Sequence, residues 1–289
     1  MPLSRIAPVD MDQVRELLTE TTSAMNTVRH LKSSLVDTKQ LLQTYKDEGA
    51  IDGCFQVDTT RSDEYNYLLW SDSDEEVVLQ VQGVLLEGHV PPVVGSGSEN
   101  SLRLNDLVQS VLIGSHDDDN STKSHRHTIL RGLITWMLFS AATRLLTPTQ
   151  RAKSDVVDHG AVDDNDVLRN VFRHGSHCYT EDNVVAFLKW DKKVDGSMLV
   201  TDMKPTMLHA GHIVDIGICF RMLKLNNRVR FLVRLDSVVV INRTGAEVLK
   251  DIDRRRNESQ NVAVRPVKKA RVHFKGSNIA VQVQTASGR

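Results

Sequence analysis

The sequence has few cysteines, few aromatic residues and no long apolar run. Its 289 residues include 3 cysteines, an odd and scattered set that excludes a disulfide framework and indicates a reducing compartment. Aromatic residues make up 5% of the chain, so a surface lined with many stacking rings is not expected. Residues 1–20 contain no apolar segment of the kind found in secretory signals, and we expect no such signal.

The most apolar stretch of the chain is ILRGLITWMLFSAATRLL, residues 129–146. Between Arg131 and Arg144 it offers 12 residues without charge, whereas a bilayer-spanning helix needs roughly 20. We therefore predict a buried core helix over residues 128–146.

Motifs of enzyme chemistry are also missing. The sequence contains no GxSxG, HExxH or GxxxxGK[ST] motif, and no GxGxxG motif follows a predicted strand. We predict no catalytic residue and no cofactor, and favour a protein that is not an enzyme. The alternative is a metal-dependent enzyme, because zinc takes nitrogen ligands and two histidine pairs share the HxxH spacing: His174 with His177, and His209 with His212.

Charge is distributed unevenly along the chain. The 36 Lys and Arg nearly balance the 37 Asp and Glu, for a net charge of −1, yet residues 254–289 hold nine basic residues and one acid. Two basic clusters in this tail, eleven residues apart, resemble a bipartite nuclear localisation signal: Arg254, Arg255 and Arg256, then Lys268, Lys269 and Arg271. Such a signal binds an import receptor as an extended chain, so we predict a nuclear protein; a cytoplasmic protein with a solvated tail is the alternative. The same charges suit nucleic-acid phosphates.

A heptad pattern runs through residues 10–48. From Val14 to Tyr45 the seam advances in alternating steps of three and four residues, and Asp10 with Gln13 suggests a capping box at the start. We predict one long amphipathic helix, either packed on its own protein or pairing with a partner or a second copy.

The best-defined β pattern is a hairpin. Apolar residues alternate through Ile213–Arg221 and Arg228–Asp236, with Asn226 and Asn227 suited to the turn. Phe220 and Phe231 fall on the apolar face, which we assign to the core. The opposite face carries a basic stripe that suits either solvent or, in an OB-like barrel, a single nucleic-acid strand: Arg221, Arg228, Arg230 and Arg234, with Lys224 at its end.

Residues 204–242 resemble a segment of uncharacterised proteins of mushroom-forming (agaricomycete) fungi, in which a GDIVEVQVSF-type strand precedes a charged turn and an LVLRSI-type strand. His212 departs from the usual Asp of that pattern. The resemblance implies a nuclear or mobile-element setting and supplies no catalytic residue. The matching positions are Gly211, Ile213, Val214, Ile216, Phe220, Leu232, Val233, Arg234 and Val238.

Together these patterns predict an α+β protein with a long N-terminal amphipathic helix, a central helical region, a small antiparallel sheet and a disordered basic tail. The expected divisions are a helix over 10–48, a globular domain over 51–245 with loops near 91–101 and 115–127, and a tail over 246–289. The expected function is interaction with proteins and charge-driven binding of nucleic acid in the nucleus, with no membrane contact.

Overall fold

The computed structural model describes residues 3–33, 38–45, 48–60, 65–94, 104, 107–116, 136–160, 162–163, 166–193, 195, 197–225 and 228–263. The strands are β1 Leu3–Ile6, β2 Phe55–Asp58, β3 Tyr65–Trp70, β4 Val78–Val93, β5 Val108–His116, β6 Trp136–Arg144, β7 Thr147–Pro148, β8 His177–Cys178, β9 Ala186–Lys192, β10 Met198–Asp202, β11 Ile213–Leu225 and β12 Arg228–Asn242. The α-helices are α1 Met11–Ser33, α2 Glu48–Ile51, α3 Arg169–Arg173 and α4 Thr244–Ala263. Single 3₁₀ turns occupy Thr38–Gln40, Leu42–Tyr45, Thr149–Arg151, Glu181–Asn183 and Pro205–Met207.

Ten strands form one mixed sheet. The order of its main strands is β10-β9-β12-β11-β4-β5-β6. Outside this order, β1 pairs with β4, β2 pairs with β3, and β3 pairs with β11. The pairing of β9 with β12 is parallel, and the other pairs of this sheet are antiparallel. The short strands β7 and β8 form a separate antiparallel ribbon.

The sheet curls so that its last strand, β6, lies against β12, which is not its neighbour on the path. The hydroxyl of Thr143 on β6 donates a buried hydrogen bond of 2.5 Å to the carbonyl oxygen of Leu235 on β12. Apolar side chains from β4, β5, β6, β9, β11 and β12 form the main core inside this curl, among them Ile113, Ile216 and Val238. The core is therefore sheet against sheet rather than helix against helix.

The predicted fold class is wrong, because the chain is mainly β and has no central helical layer among its described residues. The region predicted as a buried helix contains β6, which pairs with β5 in register from Val108↔Arg144 to His116↔Trp136. Burial alternates along β6 as it does in a half-buried strand: Ala141 and Thr143 are buried, whereas Leu138 and Ser140 are exposed. An apolar run of this kind fits both a buried helix and a buried strand. Here the pairing with β5 makes it a strand.

The N-terminal helix is shorter than the 10–48 element that the heptads predict. It begins after Asp10, whose carboxylate accepts hydrogen bonds from the backbone N–H groups of Asp12 and Gln13, and it ends at Ser33. Beyond it, Leu41 forms a parallel β-bridge with Gln80 of β4. The chain at this position therefore contacts the sheet and does not continue the helix.

The described part of the α1 seam is covered by the protein itself. Val14, Leu17, Leu18 and Met25 pack against apolar residues of β4, β11 and α4. Gly114 of β5 allows this close packing, because a Cβ atom there would lie 3.1 Å from the side chain of Leu18.

The hairpin prediction is confirmed by β11 and β12, which pair antiparallel along their whole length, although its turn at 226–227 lies outside the described residues. Of the predicted loops, 91–93 belong to β4 and 115–116 to β5, and most of the remaining positions lie outside the described residues. The chain divides into two compact units, Met1–Asp253 and Arg254–Arg289. No helix within the described ranges has the length and apolar character needed to cross a membrane.

Candidate nucleic-acid interface

The register of the β11–β12 hairpin sorts its side chains onto two faces. Opposed residues in an antiparallel pair share a face, and the observed pairs include Cys219↔Arg234, Arg221↔Leu232, Leu223↔Arg230 and Leu225↔Arg228. The four predicted arginines therefore do share one face, here called the basic face. Lys224 pairs with Val229 and lies on the other face together with Phe220 and Phe231.

The inner end of the basic face is neutralised within the protein. Arg221 donates two hydrogen bonds to the carboxylate of Glu76, at 2.6 and 2.8 Å, and a third to Asp182 at 3.1 Å. Its guanidinium carbon lies 4.6 Å from the ring centroid of Tyr67 on β3. The side chain is 10% exposed, so Arg221 is a structural residue of a buried ion-pair network and not an open cation.

Arg234 belongs to the same network. It donates to the backbone carbonyl of Asp182, at 3.0 Å from one terminal nitrogen, and forms an ion pair with Asp236 at 3.5 Å. Burial opposes ionisation of Asp182, but the hydrogen bond from Ser154 and the charge of Arg221 outweigh it and hold the pKa of Asp182 below its usual value. Burial raises the pKa of Asp236. The predicted basic stripe is thus interrupted at its inner end.

The outer end of the hairpin has a different character. Residues 222–225 and 228–231 of the hairpin are here called the hairpin tip. Pairing of β11 with β3 ends at Leu223, and beyond that point the two hairpin strands pair only with each other among the described residues. Arg228 and Arg230 are exposed on one face, and Val229 and Phe231 are 66% and 63% exposed on the other.

Phe231 was predicted in the core, and that prediction is wrong. Its ring stacks on Phe220, with centroids 5.2 Å apart and an angle of 26° between the rings, and its outer surface faces solvent. The period-two pattern places Phe231 on the face that becomes core at Ile218 and Leu235, but it cannot tell how far that face extends beyond the sheet. The density of charge around the turn, from Lys224 to Arg230, is the sequence signal that could have located an exposed tip.

The two histidine pairs lie in different parts of the fold, one beside β8 and the other just before β11. Within the described ranges there is no group of three or more His, Cys, Asp or Glu side chains placed to hold a metal ion. His209 is exposed and His212 is 3% exposed, with its Nδ1 accepting a hydrogen bond of 3.3 Å from the backbone N–H of His209. His174 lies in the turn before β8, and His177 is the first residue of β8 in the separate β7–β8 ribbon.

The predicted nuclear-signal residues fall into two groups. Arg254, Arg255 and Arg256 lie in α4, which continues to Ala263, whereas Lys268, Lys269 and Arg271 lie outside the described residues. A receptor that reads an extended chain would require the last part of α4 to unwind, and helix ends are the parts that open most readily.

No family model, curated protein or solved structure matches this chain. The resemblance of residues 204–242 to the fungal segment therefore stays a prediction. The functional argument rests on the geometry of the hairpin tip.

Proposed function

We propose that this protein binds single-stranded nucleic acid through the hairpin tip, as a binding protein without a catalytic step. The observation that carries the proposal is an exposed aromatic ring, Phe231, on one face of a β-ribbon whose opposite face carries the exposed Arg228 and Arg230. Phe231 offers its free face for stacking on a base, while Lys224, Arg228 and Arg230 supply charge for the phosphates on either side of the ribbon.

Stacking explains why a single strand is the favoured ligand. Bases in a duplex are already stacked on each other, whereas those of a single strand can turn towards a protein ring. Phe220 supports Phe231 from behind, so the ring is held in place before the base arrives and little side-chain entropy is lost on binding.

The decisive experiment is fluorescence anisotropy of labelled single- and double-stranded DNA with Phe231→Ala. Loss of one base–aromatic stack costs about 1–3 kcal/mol, which is roughly a 5- to 150-fold weaker affinity. Val229→Ala is a matched control, because Val229 is equally exposed on the same face but has no ring. Equal affinities of the two variants for single-stranded DNA would contradict the proposal.

The contribution of charge is tested separately by the salt dependence of the affinity. For single strands, each phosphate neutralised contributes about 0.7 to the slope of log affinity against log salt concentration. Replacing both Arg228 and Arg230 by Gln should lower the slope by about 1.4. Replacing both by Lys keeps the charge and should keep the slope. An unchanged slope in the Gln variant would place the bound phosphates elsewhere.

Nuclear import through the basic tail is a separate part of the proposal. It is supported by the two basic clusters of the sequence, and the receptor would be a nuclear import receptor. Lys268→Ala combined with Lys269→Ala should leave a fluorescently tagged protein in the cytoplasm. Nuclear accumulation of that double variant would refute the assignment.

Self-association, or binding of a protein partner, through the 10–48 region stays a proposal as well. Since Leu17 is buried against the sheet, a polar substitution there would unfold the protein and could not test an interface. Light scattering of the intact protein over a range of concentrations is the suitable measurement. A constant monomer mass would contradict self-association.

A further inference from the structure

A second basic site lies away from the hairpin tip, beside the β7–β8 ribbon. There the end of β6, the 3₁₀ turn Thr149–Arg151 and the turn before β8 enclose an open cavity of about 810 Å³. The polar side chains that line it belong to Arg144, Thr149, Gln150, Arg151, Ser176 and His177.

The cavity is formed by two segments that are distant in sequence. The ribbon pairs Thr147 with Cys178 and Pro148 with His177, and the backbone N–H of Thr149 donates to the carbonyl of Ser176 at 3.1 Å. These bonds hold the 3₁₀ turn against the turn at 175–177. The cavity walls are therefore fixed by backbone hydrogen bonds and not only by surface side chains.

The described lining of the cavity is basic. It includes the side chains of Arg144 and Arg151 and no carboxylate. In a chain whose total charge is −1, this concentration of positive charge favours an anionic ligand.

The side chains match the chemistry of a phosphate group. Guanidinium groups bind phosphate oxygens through paired N–H donors, and the hydroxyls of Thr149 and Ser176 add neutral donors. Burial lowers the pKa of His177, so at neutral pH its ring adds a hydrogen-bonding group and the charge comes from the arginines.

We propose that this cavity is a phosphate-binding site, with Arg144 and Arg151 as the charged ligands and Ser176 and His177 as hydrogen-bonding ligands. The phosphate comes either from the end of a nucleic-acid strand or from a free phosphorylated small molecule. The proposal is independent of the hairpin tip, since the two sites share no residue.

The test is isothermal titration calorimetry of the full chain with inorganic phosphate. A separate titration with sodium chloride at equal ionic strength is the reference. We expect saturable binding that is weakened at least tenfold when Arg144 and Arg151 are both replaced by Gln. Arg169→Gln is the control, because Arg169 is a nearby exposed arginine that pairs with Asp166 and does not line the cavity. Absence of binding by the natural protein, or equal loss in the control, would overturn the proposal.

The source of the phosphate is distinguished with oligonucleotides that carry either a 5′-phosphate or a 5′-hydroxyl. A preference for the 5′-phosphate that disappears in the Arg144 and Arg151 double variant would identify a strand end. Equal binding of both oligonucleotides, together with saturable binding of inorganic phosphate, would identify a small molecule. Since Arg144 and Arg151 are both exposed, the double variant should keep the unfolding temperature of the natural protein, which controls for misfolding.

Discussion

Lowering the pH should destabilise this protein through His212. The side chain is 3% exposed, and burial, together with the charges of His209 and Arg243, lowers the pKa of His212 to about 4. An exposed histidine of the unfolded chain has a pKa of about 6.5. The unfolded state therefore takes up the proton first, so the stability is complete above about pH 6.5 and is lost as the pH falls towards 4.

The size of the effect follows from the two pKa values. A difference of about 2.5 units corresponds to about 3 kcal/mol once the pH is below both values. Between pH 7 and pH 5 the loss from this residue is about 2 kcal/mol, a large part of the stability of a typical domain. The pKa values of Asp182 and Asp236 are shifted as well, so the contribution of His212 must be isolated by a variant.

The measurement is urea unfolding at pH 7, 6 and 5, for the natural protein and for His212→Asn. Asparagine can keep the acceptor for the backbone N–H of His209 but does not titrate, so the difference in unfolding free energy between the two proteins should change by about 2 kcal/mol over this range. His174→Asn, at an exposed histidine, is the control and should keep the pH dependence of the natural protein. A difference between the natural protein and His212→Asn that is the same at pH 7 and pH 5 would refute the reasoning.

Three further substitutions test the fold, each by urea unfolding at pH 7. Arg221→Met leaves Glu76 and Asp182 without their shared cation and should cost about 3–5 kcal/mol, whereas a cost under 1 kcal/mol would show that the network is solvated. In Gly211→Ala, an alanine in the left-handed conformation of this position (φ +87°) costs roughly 1–2 kcal/mol of stability by itself. The total cost should be larger, because the new Cβ would lie 2.6 Å from the carbonyl oxygen of Gly245. An unchanged stability would contradict this close approach. Thr143→Val removes the hydrogen bond from β6 to β12 and should cost about 1 kcal/mol, and a neutral result would mean that packing alone holds the curl.

Local patterns of the sequence were sufficient for the hairpin and for the start of α1. The alternation in β11 and β12 extends over enough residues to define a period of two, and Asp10 with Gln13 forms the predicted helix cap, in which the backbone N–H of Asp10 also donates to the Gln13 side chain. These features depend on residues that are a few positions apart, so they can be recognised in the sequence without knowledge of tertiary contacts.

The central region could not be assigned in this way. Residues 136–144 are apolar enough for either a buried helix or a strand, and pairing with β5, whose partner residues lie 20 to 36 positions earlier in the chain, makes them a strand. The heptads of the N-terminal region were overridden beyond Ser33 in the same manner, where Leu41 bridges to β4. In both places the free energy gained by pairing with the sheet exceeds the local preference for a helix, which is about a few tenths of a kcal/mol per residue.

The candidate site also combines features that the sequence predicts with features that depend on tertiary contacts. The sequence alone determined that four arginines share one face of a hairpin and that the tail is basic, because strand period and charge are local properties. Only the tertiary structure decided that Arg221 is neutralised by Glu76 and Asp182, that Phe231 projects beyond the core, and that residues 144–151 meet residues 175–177. Burial and ion pairing depend on which distant segments meet in the fold, and no local pattern contains that information.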